Sequence, residues 1–557
     1  MTASEGSFLG FAPQDSKGVP NRTSAEFKYL LFRQGQAAPQ SITVPLDPEV
    51  GGGAMLRSVA KMGVSAAAAV DFVPRPASLG MFLKGATGWV SSRKNFVNVL
   101  AQHDMDASTH TTPFANSASA ATKMWICGSG GVAGEVTINF GVGDAAAKTL
   151  TGVTTQLTTK VFKTVSRLEI PPLPAGSIAT SVAFTDTIGG VIHAAISLTA
   201  VRQTHGDCGA LTASVVKVTS VNDQHAAGYT LRIWGTDSSD HVIDETMFVY
   251  PYEMLETATA INAGALTNVK FGATDAGAEK CVWVQYHDGS YTHEFTLSQW
   301  DNFDAPWYTI RNAPGGLWGE EYLDGRINTL GLEFRAAQFL GGAVGALGIT
   351  PARVAGTGAE PAYENWSALT YVDSGPQFIA PLADIELPSG TNVCVLQGTL
   401  ACAMQIPLDE QFCIGSYYPE SLDIVGRQFS INMLLKITSD DLPTQMFFDP
   451  AYAGSDAAAS WVAEIFRNAN FKLEFVSDQD AATNKPTGVT IDYRPYKLNV
   501  NGNLLTGDSA NVLWTAAPIP MRAQRQVLMN VSGMFVASPV NTADPIKFTL
   551  VNRQAYY

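Results

Sequence analysis

Regular alternation of apolar and polar residues in one long stretch limits what this chain can fold into. Within Gly319–Arg335, Leu330, Leu332 and Phe334 alternate with Gly331, Glu333 and Arg335. This is the period of two expected of a strand with one dry and one wet face. The pattern returns after Asp423: Phe429, Ile431 and Met433 alternate with Ser430, Asn432 and Leu434 at the offset seen after Asp324. The chain is therefore predicted to build one long strand twice, once in each half.

Composition supports strands. Charged residues are only 15% of the 557, and there are 50 Gly and 29 Pro, which suits turns and strands better than long solvated helices. So few charges on so long a chain point to surface buried between subunits. The net charge of −15 excludes a protein that grips nucleic acid through its phosphates, though not one that lets it slip past. The six cysteines include no Cys-x-x-Cys and read as unpaired core thiols of a reducing compartment. Neither a secretory signal nor a membrane-length apolar run is visible, so a soluble protein is expected.

Residues 1–24 lack periodicity and read as an arm ordered by a partner. A strand over Glu26–Phe32 follows, then a turn-rich break at Gly35–Pro39 and a second strand at Ser41–Val44. Ser78 and Gly85 are placed to cap and stop a short helix. Short Thr- and Val-rich strands across 132–281 predict an inserted β-sandwich, and 351–376 reads as a linker. In the second half, Ser455–Arg467 is the best helix pattern, with Trp461, Val462, Ile465 and Phe466 on one face.

Motifs for catalysis are missing: Gly-x-Ser-x-Gly, the phosphate-binding Gly-x-x-x-x-Gly-Lys-Ser/Thr and His-Glu-x-x-His do not occur. Gly128–Ala133 has dinucleotide-loop spacing but runs into a strand pattern, so it reads as a turn. His103 with Asp104 and Asp106, His287 with Asp288, His293 and Glu294, and the acidic group Asp237, Asp240, Asp244 and Glu245 read as solvated loops, not metal sites. Trp283, Trp300, Trp307 and Trp318 read as core or subunit contacts. No catalytic residue, cofactor or metal is expected.

Three segments resemble tail tube proteins of long-tailed (siphophage-type) bacteriophages. Val70–Gly88 is similar to that family's strand, Arg-Pro, short helix and Gly; Gly315–Phe334 is similar to its later long strand; and Tyr229–Glu245 resembles a sandwich module of phage virion proteins. The resemblance covers most of 25–350 and reaches the second half only by pattern. That half lacks the Arg-Pro helix motif, and the chain is about twice a single-domain subunit. The resemblance implies a mainly β fold: an arm (1–24), a discontinuous first tube domain (25–131 and 282–350), an inserted Ig-like β-sandwich (132–281), the linker (351–376) and a second tube domain (377–557). Each tube domain would be a β-sandwich or barrel with a short flanking helix. It further implies a structural virion protein: a trimeric ring with pseudo-sixfold symmetry, stacked into a tail tube. The tube would be assembled in the host cytoplasm and pass DNA during ejection, with a tape measure protein and terminator or baseplate proteins as partners. Glu333, on the wet face of the long strand, is the candidate lumen residue. A β-sandwich adhesin or decoration protein that binds host-surface glycans is the alternative.

Overall fold

A computed structural model describes residues 7–14, 16–21, 27–45, 59–104, 111–112, 123–129, 133–140, 145–151, 153–170, 181–186, 191–197, 203–221, 228–240, 242–256, 266–271, 281–297, 306–314, 319–354, 376–387, 391–392, 394–437, 471–480, 495–502, 512–516, 527–536, 545–555 and 557. These residues are mainly antiparallel β-structure with one α-helix. The first half supplies β1 (Phe8–Pro13), β2 (Phe32–Pro45), β3 (Val59–Phe72), α1 (Pro76–Thr87), β4 (Gly88–Asp104), β5 (Met124–Ser129), β6 (Cys281–Leu297), β7 (Tyr308–Ala313), β8 (Gly319–Arg335), β9 (Gly341–Gly348) and β10 (Thr350–Val354). The second half supplies β11 (Ile379–Leu387), β12 (Cys394–Gln405), β13 (Gly426–Ile437), β14 (Phe471–Asp480), β15 (Pro495–Gly502), β16 (Val512–Ala516), β17 (Val527–Phe535) and β18 (Ile546–Asn552).

Eight strands run side by side in the order β2-β3-β9-β8-β12-β13-β17-β16, four from each half. The two strands with the repeated pattern, β8 and β13, flank β12, so that Leu332 lies opposite Leu400 and Leu400 opposite Ile431. A second layer, β5-β6-β18-β15-β14-β11, carries β4 on the other side of β6 and likewise draws on both halves. The dry faces of the two layers meet in one core cluster that includes Leu332, Ile431, Phe475 and Phe548. Ring contacts cross it: Phe334 lies 5.5 Å from Phe475, and Phe429 lies 6.3 Å from Phe548. The halves thus sit side by side over one shared core.

β8 serves two neighbourhoods. Its first part pairs with β7 and β10, its last part with β9 and β12. The change falls at Asp324, whose φ of 53° is in the left-handed region that Asp tolerates. The Asp324 carboxylate accepts the Gly18 amide at 2.7 Å, which holds the bend. α1 fills the space between the layers with Leu79, Phe82, Leu83 and Ala86. It begins at Pro76, whose missing N–H costs nothing in the first turn, and ends at Gly88, with φ 88° and its amide returned to the Lys84 carbonyl. Ser78 and Gly85 are therefore interior positions. Gly85 is small because a Cβ there would come within 2.6 Å of Ile327.

The inserted region forms a sandwich of two four-stranded sheets around Phe162, Val165, Leu168, Val218, Leu231 and Ile233. A separate four-stranded sheet joins Thr111–Thr112, Leu266–Phe271, Ala133–Phe140 and Ala145–Thr151, so the insert is more than one sandwich.

Three further expectations need correction. Within the segment read as an arm, Phe8–Pro13 is a strand of its own chain, paired along its length with β7, and buries Leu9 and Phe11 in the shared core. Apolar residues at 8, 9 and 11 are too few to show a period, yet a neighbouring strand edge suffices to order them. Gly35–Pro39 does not break the chain, because β2 is an edge strand, where proline is tolerated. Among the cysteines, Cys127 and Cys402 are core residues, but Cys394 and Cys413 are exposed. The helix expected at Ser455–Arg467 and nearly all of the linker lie outside the described residues.

Because Leu332 is 1% exposed and packs at the junction of the halves, Leu332→Ala is expected to cost about 3 kcal/mol, the range for a deleted core leucine. Denaturant unfolding followed by fluorescence checks this. A loss below about 1 kcal/mol would mean that the junction is not tightly packed.

Candidate assembly surface

The face of the eight-strand layer turned away from the core is its most distinctive surface. Register places Gly345 and Thr329 at one level with Ala69 and Ala403; Ala343, Gly331, Ala401 and Ser430 form the next, and Glu333, Thr399 and Asn432 the one after. Period two dictates this, since each of these residues alternates with a buried neighbour. Small, uncharged side chains dominate. From the level of Thr329 to that of Arg335, the charged residues among those described are Arg33, in a bulge of the edge strand β2, Asp71, Glu333 and Arg335. Glu333 lies where its alternation predicts, exposed on this face, but Arg335 Nη2 sits 2.8 Å from its carboxylate. The chain's excess negative charge is therefore not concentrated here.

Neither end of the layer has an outer partner among the described residues: β2 pairs only with β3, and β16 only with β17. β2 is exposed along nearly its whole length. Open edges of this length are templates for pairing with another chain.

The insert is anchored behind the second layer, on the far side from this face. Thr230 donates to Ser91 Oγ at 2.7 Å, and Arg232 donates to the Gly88 carbonyl at 3.3 Å. The guanidinium also pairs with Asp244 at 2.6 Å and lies 4.5 Å from the Trp234 ring. Burial works against an ionised Asp244, yet Arg232, Lys84 and Lys160 outweigh it and hold the carboxyl down at about 2. Lys84, half-buried beside this group, is pushed down to about 8 by desolvation.

Of the residues read as solvated loops, His287, Asp288, His293 and Glu294 lie on β6, with Asp288 and His293 buried, and Asp244 and Glu245 lie in the strand Val242–Val249. Asp240 pairs with Lys163, Asp244 with Arg232, and Glu245 accepts the Thr159 and Lys160 amides. His287 bonds the Asn95 carbonyl, and Asp288 accepts from Ser290. Among the described residues no group of three such ligands is placed to hold an ion. The side chains of His103 and Asp104, and residue 106, lie outside the described residues. Trp283 packs with Cys127, while Trp307 lies 3.9 Å beneath the Arg326 guanidinium; Trp300 and Trp318 lie outside the described residues.

One constellation has no sequence signal at all. His293 Nδ1 lies 2.7 Å from Ser92 Oγ, and its Nε2 lies 3.0 Å from Asn552 Oδ1, whose amide donates to the Pro76 carbonyl at 2.7 Å. The order hydroxyl, imidazole, amide is that of an activated nucleophile. Here, however, the ring is 0% exposed and sits 4.8 Å from Tyr557, out of reach of a substrate. Its role is to clamp β4, β6 and β18, and so to join the halves in the second layer.

Burial pushes His293 down to about 4, against 6.5 when unfolded, so the unfolded chain binds the extra proton between these values. Stability from this group is complete above pH 6.5 and falls by about 3 kcal/mol as pH drops to 4. Urea titrations across that window are expected to show the loss and His293→Gln to flatten it. An unchanged slope in the variant would assign the acid sensitivity elsewhere.

No protein-family model matches the chain, and no curated protein matches it either.

Proposed function

We propose that this chain is a structural subunit of a bacteriophage tail tube, two tube-type domains fused in one polypeptide, which closes into a trimeric ring and stacks to form a channel for DNA. The observation that carries this reading is the run of eight adjacent strands, four from each half, whose two outer strands have no further partner among the described residues. Three copies joined edge to edge supply 24 strands. At about 4.8 Å per strand the circumference is about 115 Å and the diameter at least about 37 Å, enough for duplex DNA inside a lining of short side chains. Closure also removes the exposed edges.

The wet face suits a lining. Among the described residues between the levels of Thr329 and Arg335 it offers few cations to a phosphate backbone: Arg335 is paired with Glu333, which leaves Arg33 on the edge strand, too few to hold DNA in place. Glu333 is the proposed lumen residue on this geometry, acting within a neutral pair. The insert, an Ig-like module in this reading, is anchored behind the second layer and projects outward, where bulk does not obstruct stacking. Tape measure and terminator or baseplate proteins are the proposed partners, the virion tail is the location, and no catalytic step is involved.

Negative-stain microscopy of the purified protein is expected to show rings of three subunits and short tubes with peripheral knobs. Discrete particles at every concentration, together with binding to a glycan array, would instead favour an adhesin.

A further inference from the structure

The two ends of the eight-strand layer, taken along the strand direction, differ in shape and polarity. At one end the segment between β12 and β13 protrudes as a knob. Its frame is fixed: Phe412 packs on Gly63, the Tyr417 carbonyl accepts the Val64 amide at 2.7 Å, the Glu420 amide donates to Gln411 at 2.8 Å, and Arg326 donates to the Leu422 carbonyl at 3.0 Å. On this held frame Ile414 is fully exposed and Tyr417 is 63% exposed, with exposed Tyr418 next in sequence and exposed Val425 at the base of the knob. The β2–β3 hairpin adds exposed Val44, Val59 and Met62 at the same end. A fixed loop that presents several large apolar groups to water marks a contact surface.

At the opposite end lies an open cavity of about 480 Å³, walled chiefly by Phe334, Ala337, Ile385, Val395 and Phe475, with Cys394 at its side. Ten residues of β12 separate Val395 from Gln405 at the base of the knob, or roughly 30 Å along the strand. The charges do not oppose such a contact. Residues 407–425 carry Asp409, Glu410, Glu420 and Asp423 and no lysine or arginine, while the charged residues of the cavity wall, Arg335 and Asp384, are already paired with Glu333 and Lys472. An acidic knob therefore meets no unpaired negative charge there.

We propose that the knob around Ile414 seats in the Phe334–Phe475 cavity of a second copy of this chain, and that this head-to-tail contact is what stacks one ring on the next. A knob and a hole at opposite ends of one subunit make a contact that never closes on itself, so it propagates as a column. Three such contacts per layer engage together, which makes stacking far tighter than one contact alone. The inference rests on the ring reading above but is separable from it, since edge pairing builds the ring and the knob joins rings.

The chain carries its own reporters, because Cys413 adjoins Ile414 and Cys394 lines the cavity, and both thiols are exposed. Treating assembled protein with a short bis-maleimide is expected to give a denaturant-resistant ladder whose cross-links, mapped by mass spectrometry, join 413 to 394. Cys413→Ser or Cys394→Ser should abolish the ladder. Ile414→Asp, at a fully exposed position that leaves the fold intact by circular dichroism, should leave rings but reduce columns to single layers. Columns that persist in Ile414→Asp, links only between like cysteines, or rings that stack without 413–394 links would overturn the knob contact and leave the ring standing. Absence of rings in the unmodified protein would overturn both.

Discussion

The β8–β12 ladder is the constraint on which the rest of the structure depends. Seven consecutive pairs, from Thr329 opposite Ala403 to Arg335 opposite Gln397, join the two halves by backbone hydrogen bonds. On the dry side the same registry sets Leu332, Leu400 and Ile431 in a row over the second layer. A slip of one residue would turn these to water and bring Glu333 and Thr399 into the core. Registry there is thus fixed by burial, and it decides at once that the halves share a core and that their wet faces form one continuous surface. The His293 clamp makes the corresponding join in the second layer, where strand β6 of the first half meets β18 of the second.

From that joint the functional reading follows. A fused pair of four-strand units presents a broad, gently charged face whose two edge strands have no outer partner among the described residues, which is the shape of a wall segment more than of a pocket. Its charge is not placed where a uniformly acidic lining would put it, since the exposed carboxylate nearest the centre, Glu333, spends its charge on Arg335. Around the levels of Thr329 and Gly331 the outward positions of β8, β9 and β12 are Ala, Gly and Thr, short and uncharged, and the charged positions Glu333 and Arg335 pair with each other.

Much of the β architecture was legible from period two alone, because a half-buried strand has to alternate. Thus β8 and β13 stand where Leu330–Phe334 and Phe429–Met433 place them. Glu333 was legible for the same reason. Local punctuation was less reliable: Pro76 and Gly88 bound the helix where Ser78 and Gly85 looked suitable, since Gly85 answers to Ile327 in the next layer and not to the helix end. Long-range choices left no trace. Ser92 and His293 lie 201 residues apart and Asn552 another 259 beyond, so no spacing rule finds them. The pairing of Phe8–Pro13 with β7 crosses nearly the whole first half, and the exposure of Cys394 and Cys413 depends on their places at the start of β12 and in the segment between β12 and β13.

The central claim is that the two halves are one folding unit joined along β8–β12 and β6–β18. Cutting the chain between residues 355 and 375 and producing the pieces separately tests it most directly, with calorimetry as the readout. The account predicts no cooperative transition from either piece alone and recovery of a single transition when the two are produced together. Two pieces that each melt cooperatively by themselves would contradict it.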